Sequence, residues 1–530
     1  MSRKFFVFHF SFFTFHFSFF TKKLASLQKK YTQPKLLGQI YTPNFIVEKI
    51  LDDVGFDSAA VLQKKIIDPA CGDGRFLCEA ARRIIAWSSP GNLVENLTRL
   101  YGWDIDDVAI SACKMQLDEL ILPYNISINW NVFTCDALAK KIDFERYFDF
   151  VVGNPPYIRI QHLEIEQRQY IQQHFSFCKN GSTDIFIAFF ELAFSLLNAE
   201  GKCGFITPNS YLFTSTANVF RAFFAEKKLL QKVTNYGDIQ LFENATTYTA
   251  ITIFSKKEQD VFLFEKAITS RDFEIQNIEI ASLQNAKIWQ LSTSKPLINN
   301  DKNVLLKNIC KIHVGITTLC DKAYIFPIIA EENENIVVIN SRLQGLVRLE
   351  KAILKPIVKG SLLKNSEQKI SEFVLFPYQK NATKTAVIPE DDLQKNYPLA
   401  YQYLLSVKEI LDARDNGAPN SVAWYAFGRS QGLETSFGKK IIFSPMNLRP
   451  NFIFYPDENC TFYSGYCIKY SGDNQALLDA LNSQRMADFI AVSSRDFRGG
   501  WKAYSKKTIE DFEVSEELLV PSDELSLFPL

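Results

Sequence analysis

Short apolar segments that end at a glycine or an acidic residue recur through the first third of the chain. Their length and their β-branched and aromatic residues are typical of buried strands. Four strands are predicted in this way, at Ile66-Ile67, Tyr101-Gly102-Trp103, Asn131-Val132-Phe133 and Phe150-Val151-Val152. A helix is predicted after the first strand, from Phe76 to about Ala86. Alternating strands and helices predict an α/β fold with a parallel sheet, in which ligands gather at the carboxyl ends of the strands.

The pattern continues to about residue 255 and then changes. Residues 162–183 are polar and predict a mobile loop, whereas 184–197 are apolar and predict a buried helix. Further elements are predicted as strands over 204–208, 233–236 and 248–254, the last with alternating polarity, and as a helix from Asn209. From about residue 257 the chain is more charged, and strands and loops outnumber helices until about 380. We therefore place a domain boundary near 265–300.

The composition is that of a globular protein, with 47% apolar and 22% charged residues, and 530 residues allow two or three domains. Because the net charge is zero, any polyanion must bind to local basic patches. Ten cysteines occur without a Cys-x-x-Cys pair or metal-ligand spacing. This pattern favours unpaired thiols in the cytoplasm, and we expect no metal site.

Residues 5–20 are almost all phenylalanine, interrupted by Ser, Thr and His. This run is shorter than the ~18–20 apolar residues of a spanning helix, and no small-residue cleavage site follows it. We predict neither a signal peptide nor a membrane anchor. The segment resembles the translation of a T-rich leader and suggests a misassigned start, so residues 1–30 are expected to lie outside the fold.

A stiff polar turn follows the fourth predicted strand. Gly153 ends the strand, and Asn154-Pro155-Pro156-Tyr157 comes directly after it. Two prolines fix two φ angles and remove two N–H groups, so the turn offers carbonyl oxygens without neighbouring donors. The Asn154 side chain and the Pro155 carbonyl supply two acceptors that suit a planar –NH2 group, and Tyr157 supplies a plane for the ring that carries it. On these residues alone, a turn that only closes a strand is the alternative.

Other stretches place polar groups at the same edge of the predicted sheet. Asp68-Pro69-Ala70-Cys71-Gly72-Asp73-Gly74 joins the first strand to its helix, and its glycines let a ligand approach the backbone closely. Asp104 ends the second strand, where a carboxylate can accept hydrogen bonds from ribose hydroxyls. Asp136 follows the third strand and can bond an exocyclic amine. Nearer the N-terminus, Thr42 is predicted to be the N-cap of a helix that begins at Pro43.

Two basic clusters occur in the second half of the chain. The first lies within 341–364 and comprises Arg342, Arg348, Lys351, Lys355, Lys359 and Lys364. The second is interleaved with Phe497, Trp501 and Tyr504 and comprises Arg485, Arg495, Arg498, Lys502, Lys506 and Lys507. Cations mixed with aromatic rings suit a phosphate backbone, and solvated faces with helix-end cations are the alternative. The candidate phosphate contacts are Lys355, Lys359, Arg495, Arg498 and Lys502.

Taken together, these motifs resemble the adenine-N6 DNA methyltransferases of restriction–modification systems, in the amino-group gamma class typified by the TaqI-like enzymes. The resemblance runs in the family's order from about residue 36 to 255 and includes Ile206-Thr207-Pro208-Asn209-Ser210. Beyond residue 305, three segments weakly resemble the specificity domain of the same enzymes: His313–Thr318, Leu354–Ile357 and Leu481–Ser483.

The resemblance implies a Rossmann-like fold that binds S-adenosylmethionine, followed by a mixed α+β target-recognition domain. The implied cofactor-binding residues are Thr42, Asp68, Pro69, Ala70, Cys71, Gly72, Gly74, Asp104, Ile105, Asp136 and Ala137. Ala137 departs from the family, which often has a bulkier apolar residue against the cofactor adenine. For an adenine rotated out of the duplex, Asn154 and the Pro155 carbonyl would accept the N6 hydrogens and Pro156 would stiffen the turn. Tyr157 and Phe242 would stack on its ring, although core packing is the default for a phenylalanine.

The resemblance divides the chain into a leader (1–30), a methyltransferase domain (31–265), a linker (266–304), a DNA target-recognition domain (305–515) and an acidic tail (516–530). We expect a monomeric, site-specific methyltransferase that acts on double-stranded DNA and has no membrane partner. The resemblance also allows a separately encoded restriction endonuclease as a partner. A glutamine side chain or an RNA base amine is the alternative acceptor, because Asn-Pro-Pro-Tyr is shared with enzymes of both kinds. A catalytically silent DNA-binding relative is the other alternative.

Overall fold

The structure is a computed structural model that describes residues 42–516 apart from 140–143, 180, 182, 243–246, 287, 290, 292–302, 382–383 and 495. The Phe-rich leader, Arg495 and residues 517–530 of the acidic tail therefore lie outside the described residues. Contacts divide the chain into two compact units, Met1–Pro296 and Leu297–Leu530. In the described part of the chain, no helix combines the length and the apolar composition that crossing a membrane requires.

The described residues of the first unit contain a single large sheet. Its strands are β1 (Ile66–Asp68), β2 (Leu100–Asp104), β3 (Asn131–Thr134), β4 (Phe148–Gly153), β5 (Leu197–Pro208), β6 (Leu230–Asn235), β7 (Thr249–Ser255), β8 (Val261–Ala267) and β9 (Phe273–Glu279). They lie in the order β3-β2-β1-β4-β5-β7-β6-β8-β9. Strands β1 to β5 pair in parallel, and β7 runs antiparallel to both β5 and β6. The predicted α/β fold with a parallel sheet is confirmed.

Helices and apolar side chains cover both faces of this sheet. The helices of the unit are α1 (Asn44–Val54), α2 (Arg75–Trp87), α3 (Leu93–Leu97), α4 (Asp107–Ile121), α5 (Ile165–His174), α6 (Phe186–Leu196) and α7 (Asn218–Glu226). Ile67 and Phe205 belong to one hydrophobic cluster, whereas their chain neighbours Ile66 and Ile206 belong to another. Because successive strand residues point to opposite faces, the two clusters cover opposite faces, which explains the continuous apolar runs in the sequence.

Three elements of the first unit differ from the sequence-based expectations. β7 is buried at every position and does not alternate, since apolar clusters cover both of its faces. The region predicted as a mobile loop, 162–183, contains helix α5. The linker predicted over 266–304 is wrong in its first part, because β9 pairs with β8 in the sheet. Most side chains of this edge strand are exposed or half-buried, so it lacks the apolar run by which a strand is recognised.

Helix α1, which begins next to Thr42, is fixed to the sheet by a partly buried ionic network. Lys49 Nζ lies 2.9 Å from Glu265 Oε2, and Lys232 Nζ lies 2.6 Å from Glu265 Oε1 and 2.8 Å from Asp53 Oδ1. Burial acts to raise the pKa of Glu265, but hydrogen bonds from Lys232, Lys49 and Thr234 hold that pKa below its ordinary value. The network therefore ties α1 to β6 and β8.

The second unit combines small sheets with short helices, as predicted for a mixed α+β domain. Its strands are β10 (Asn303–Leu305), β11 (Lys311–Val314), β12 (Ile325–Phe326), β13 (Ile328–Glu331), β14 (Ile336–Ser341), β15 (Gly345–Glu350), β16 (Leu354–Lys359), β17 (Glu372–Leu375), β18 (Tyr378–Lys380), β19 (Thr385–Val387), β20 (Lys440–Phe443), β21 (Met446–Asn447), β22 (Phe452–Tyr455), β23 (Thr461–Tyr463), β24 (Tyr466–Lys469), β25 (Asp496–Phe497), β26 (Trp501–Ala503) and β27 (Glu513–Ser515). Its helices are α8 (Leu306–Ile309), α9 (Asp321–Tyr324), α10 (Glu390–Asn396), α11 (Pro398–Ser406), α12 (Lys408–Asp412), α13 (Asn474–Leu481), α14 (Gln484–Ser493) and α15 (Lys506–Glu510). Two four-stranded sheets, β11-β24-β20-β22 and β12-β17-β16-β23, are its largest in the described residues.

Candidate active site

The predicted site residues follow strands that are neighbours in the sheet. Asp68 ends β1, Asp104 ends β2 and Gly153 ends β4, and these strands lie in the order β2-β1-β4. Because the strands are parallel, their carboxyl ends meet at one edge. The structure therefore brings together the glycine turn, the acid of the second strand and the Asn-Pro-Pro-Tyr turn, which are far apart in sequence.

The turn after β1 orients the acid at the end of β2. The Gly72 amide donates to Asp104 Oδ2 at 2.8 Å, and the Asp106 amide donates to Asp104 Oδ1 at 2.9 Å. Burial raises the pKa of Asp104, and the hydrogen bonds from these two amides oppose that rise. Two backbone donors hold the carboxylate in one orientation, which a residue that positions ribose hydroxyls requires.

The two glycines of this turn have different structural roles. Gly72 has φ +52°, and a Cβ at this position would have no atom within 4 Å. Gly74 has φ +93°, and a Cβ there would overlap the sulfur of Cys113 and lie 3.3 Å from its Cα. Gly74 is therefore required for packing of the turn against α4, whereas Gly72 leaves open space beside the backbone.

Asp68 is a buried acid at the centre of the site, with 1% of its surface exposed. Its Oδ1 accepts a hydrogen bond from the Ala70 amide at 3.0 Å. A Cβ on Gly153 would lie 2.5 Å from the same oxygen, so β4 needs glycine where it passes the carboxylate. Burial, together with the charges of Asp104 and Asp73, raises the pKa of Asp68 to about 8.

The Asn-Pro-Pro-Tyr turn is held at both ends by hydrogen bonds. Asn154 Nδ2 donates to Thr42 Oγ1 at 3.1 Å, and the Tyr157 hydroxyl donates to the Ile206 carbonyl at 3.2 Å. The Tyr157 ring meets Phe186 edge-on, with centroids 6.5 Å apart. Because Nδ2 donates to Thr42, Oδ1 is the acceptor end of this amide, and its predicted role towards a substrate amine stays a prediction.

Thr42 is not the N-cap that the sequence suggested. Helix α1 begins at Asn44, Pro43 occupies the cap position, and the Pro43 carbonyl accepts from the amides of Ile46 and Val47. The Thr42 hydroxyl instead holds Asn154. Sequence reasoning missed this contact, because the two residues are 112 positions apart and their local patterns are each complete without it.

The residues predicted to contact the cofactor adenine differ in exposure. Ile105 exposes 64% of its surface. Asp136 is also exposed, and its Oδ1 accepts from the Leu138 amide at 3.0 Å. Ala137, by contrast, is buried in the hydrophobic core. An exposed apolar residue and an exposed acid, each following one of two adjacent strands, suit an aromatic ring that carries an amine. The contribution of Ala137 to this adenine site stays a prediction.

The remaining predicted contacts are a buried phenylalanine of the first unit and basic residues of the second. Phe242 is 3% exposed and packs in the hydrophobic cluster that contains α1, so its stacking role stays a prediction. Lys355 and Lys359 belong to β16, whereas Lys502 belongs to β26 and Arg498 to the turn before it, in a different sheet. Their predicted contacts with DNA are not tested by this geometry.

Comparisons with known proteins show which proteins this chain is similar to. Residues 98–242 match the family model of the Eco57I restriction-modification methylase. The type II restriction enzyme and methyltransferase RM.Eco57I of Escherichia coli is 26% identical over 490 residues, which cover 74% of this chain and 48% of that protein. The type II methyltransferase M.BanIII of Aneurinibacillus aneurinilyticus is 24% identical over 544 residues, which cover 89% of this chain and 89% of that protein. The chain thus spans about half the length of the first relative and most of the second.

A solved structure shares the fold. The type IIL restriction-modification enzyme MmeI, solved in complex with DNA, aligns with a TM-score of 0.58 and 13% identity over 88% of this chain and 65% of that chain. The sheet order, the family model and the type II relatives together confirm a methyltransferase-type α/β fold and the predicted resemblance to the methyltransferases of restriction–modification systems.

Proposed function

We propose that this chain is a site-specific DNA methyltransferase that transfers a methyl group from S-adenosylmethionine to N6 of an adenine. One observation carries the proposal: the Asn154 amide follows β4 directly and is held through Nδ2 by Thr42, at the sheet edge where the glycine turn and Asp104 lie. The type II methyltransferase relatives support DNA as the substrate. The choice of adenine N6 rests on the resemblance of the Asn-Pro-Pro-Tyr turn.

The residues at the edge of the sheet fit S-adenosylmethionine. The open space at Gly72 allows close approach to the backbone, and Asp104 is oriented to accept from ribose hydroxyls. Ile105 offers apolar surface for the adenine, and Asp136 offers an acceptor for its amine. When bound, the cofactor supplies an electrophilic methyl group on a sulfonium.

The Asn154 oxygen and the Pro155 carbonyl would prepare the target amine. The nitrogen lone pair of adenine N6 is delocalised into the ring, which makes the amine a weak nucleophile. Two acceptors that hold both hydrogens localise that lone pair and point it towards the electrophile. No general base is required, because the proton can leave to water after transfer. The Tyr157 hydroxyl is anchored on Ile206, so the ring of Tyr157 is a fixed surface for the base to stack on.

An adenine inside duplex DNA is out of reach of these groups, so we propose that it rotates into the site. Unstacking costs a few kcal/mol, which stacking on Tyr157, and on Phe242 if this side chain becomes accessible, would offset. The second unit would bind phosphates and read base edges, which are separate tasks in DNA recognition.

Transfer of tritium from labelled S-adenosylmethionine to duplex DNA, RNA and a protein extract tests the substrate class. Label in DNA, recovered as N6-methyladenine after digestion and mass spectrometry, is the expected result. Recovery of the label in glutamine or in RNA would show that this acceptor, and not DNA, is the substrate. Cofactor binding without transfer to any acceptor would indicate a catalytically silent relative.

Asp68 predicts that cofactor affinity depends on pH. With a pKa of about 8, Asp68 carries a proton at neutral pH in the free protein. A cation bound beside Asp68 favours its carboxylate, so we expect Asp68 to release that proton on binding. We therefore expect the affinity to rise by up to about tenfold per pH unit below pH 8 and to level off above it.

Calorimetric titrations of the cofactor at pH 6 to 9, in two buffers of different ionisation enthalpy, measure this proton release. Asp68→Asn should remove the release and flatten the profile. Asp136→Asn changes an exposed acid that follows β3. It should lower the cofactor affinity but keep the slope of that affinity against pH. The same slope in Asp68→Asn as in the parent protein would contradict the role of Asp68.

A further inference from the structure

The second unit contains a cavity of about 270 Å³ that the proposed transfer chemistry does not use. Its charged lining residues are Arg342, Lys359, Lys369 and Glu372. The cavity lies beside adjacent strands of the sheet β12-β17-β16-β23, where Lys359 and Tyr463 are partners in register. The position is therefore built on strands and is not formed by one surface loop.

The cations of this cavity differ from other cations of the same unit. Two exposed cations of the 341–364 run are paired, Arg348 with Glu332 at 2.6 Å and Lys351 with Glu331 at 2.8 Å. Within the residues that the structure describes, Arg342, Lys359 and Lys369 have no carboxylate within ion-pair distance. Lys359 Nζ instead lies 5.8 Å from the centre of the Tyr463 ring. Three unpaired cations around one concave site concentrate positive potential there.

The single carboxylate that lines the cavity is already engaged. Tyr463 donates its hydroxyl to Glu372 Oε2 at 2.9 Å. Glu372 therefore has a hydrogen-bond partner of its own, and the cavity keeps an excess of two positive charges from three cations and one carboxylate. The volume is slightly below the roughly 300–1,000 Å³ of small-molecule sites, which favours a compact anion over a larger organic ligand.

We propose that this cavity binds a phosphate group through Arg342, Lys359 and Lys369. Guanidinium and ammonium groups are the side chains that phosphate oxygens bind most strongly. The phosphate comes either from the backbone of bound DNA or from a free ion, and the DNA source rests on the proposed function. A backbone phosphate held here fixes the position of the duplex on the second unit without reading its sequence.

The test compares Arg342→Gln, Lys359→Gln and Lys369→Gln with Arg348→Gln, which makes the same charge change at a paired cation outside the cavity. Binding of a labelled duplex to the full chain is measured by fluorescence anisotropy between 50 and 200 mM salt. Each cavity variant should bind several-fold more weakly and make the slope of log K against log salt shallower by about 0.9. The loss should be equal for DNA with and without the methylated sequence, and Arg348→Gln should match the parent protein.

A second arm titrates inorganic phosphate against the parent protein and the Arg342→Gln/Lys369→Gln double variant at constant ionic strength. Phosphate binding that the double variant loses, with DNA binding unchanged, would support a phosphate site for a free ion. No change in either arm would overturn the site. If the parent protein does not bind DNA, the proposed function fails, and the phosphate arm alone decides the cavity. Unchanged melting temperatures confirm that these exposed or half-buried substitutions leave the fold intact.

Discussion

Asn154→Ala is expected to reduce methyl transfer by about a thousandfold or more, while the affinity for S-adenosylmethionine changes by no more than a few-fold. Removing one polar group that acts only in the transition state commonly costs about 10²–10³ in rate. Here the loss should be larger, because the Asn154 oxygen is one of only two acceptors proposed to localise the lone pair of the amine. Single-turnover rates at saturating cofactor and DNA, with calorimetric cofactor affinities, separate the two effects.

Two variants distinguish acceptance by Asn154 from mere filling of the turn. Asn154→Asp keeps an oxygen but loses the donation to Thr42, so transfer should fall less than in Asn154→Ala. Thr42→Val removes the hydroxyl that orients the amide, and we expect an intermediate loss of rate. Turnover of Asn154→Ala equal to that of the parent protein would reject the assignment.

The strand-end residues could be predicted because each is marked locally. Asp68, Asp104 and Asp136 follow apolar runs of strand length, and parallel strands bring such ends to one edge. The Asn-Pro-Pro-Tyr turn is recognisable by itself, since two prolines restrict its backbone. For the same reason the parallel arrangement of the first strands followed from the sequence. The strand at β7 was also predicted, but its antiparallel direction and the presence of β9 were not.

The contacts between distant segments could not be predicted. Nothing near Thr42 indicates that its hydroxyl binds Asn154, and a cap was the more economical interpretation of a Thr-Pro pair. The basic run at 341–364 indicated that cations suited to a phosphate are present, but it did not show which of them line the proposed site. Arg348 of β15 pairs with Glu332, which follows β13, whereas Lys369, outside that run, lines the cavity. Which cations remain unpaired depends on strand register, which the sequence does not state.

Gly74→Ala is expected to destabilise the first unit by about 2–5 kcal/mol. An alanine at φ +93° costs roughly 1–2 kcal/mol, and overpacking of a close-packed site costs about 1–3 kcal/mol. The overlap involves not only the sulfur of Cys113 but also the backbone of α4, so rotation of one side chain does not relieve it. Cys113 is fully buried, which leaves little room for the helix to move. Calorimetric melting of the full chain should show a lower midpoint for the first unit.

Gly72→Ala is the matched control, because it changes the same kind of residue two positions earlier. Its φ of +52° imposes the left-handed strain, but its Cβ would meet no atom within 4 Å, so the loss of stability should be only about 1 kcal/mol. The added methyl group would instead occupy the space proposed for the cofactor, and the affinity should fall at least about tenfold, or ~1.4 kcal/mol. Equal destabilisation of the two variants, with unchanged cofactor affinity in Gly72→Ala, would show that both glycines serve only the turn. A stable Gly72→Ala that no longer binds the cofactor would place the ligand against this backbone.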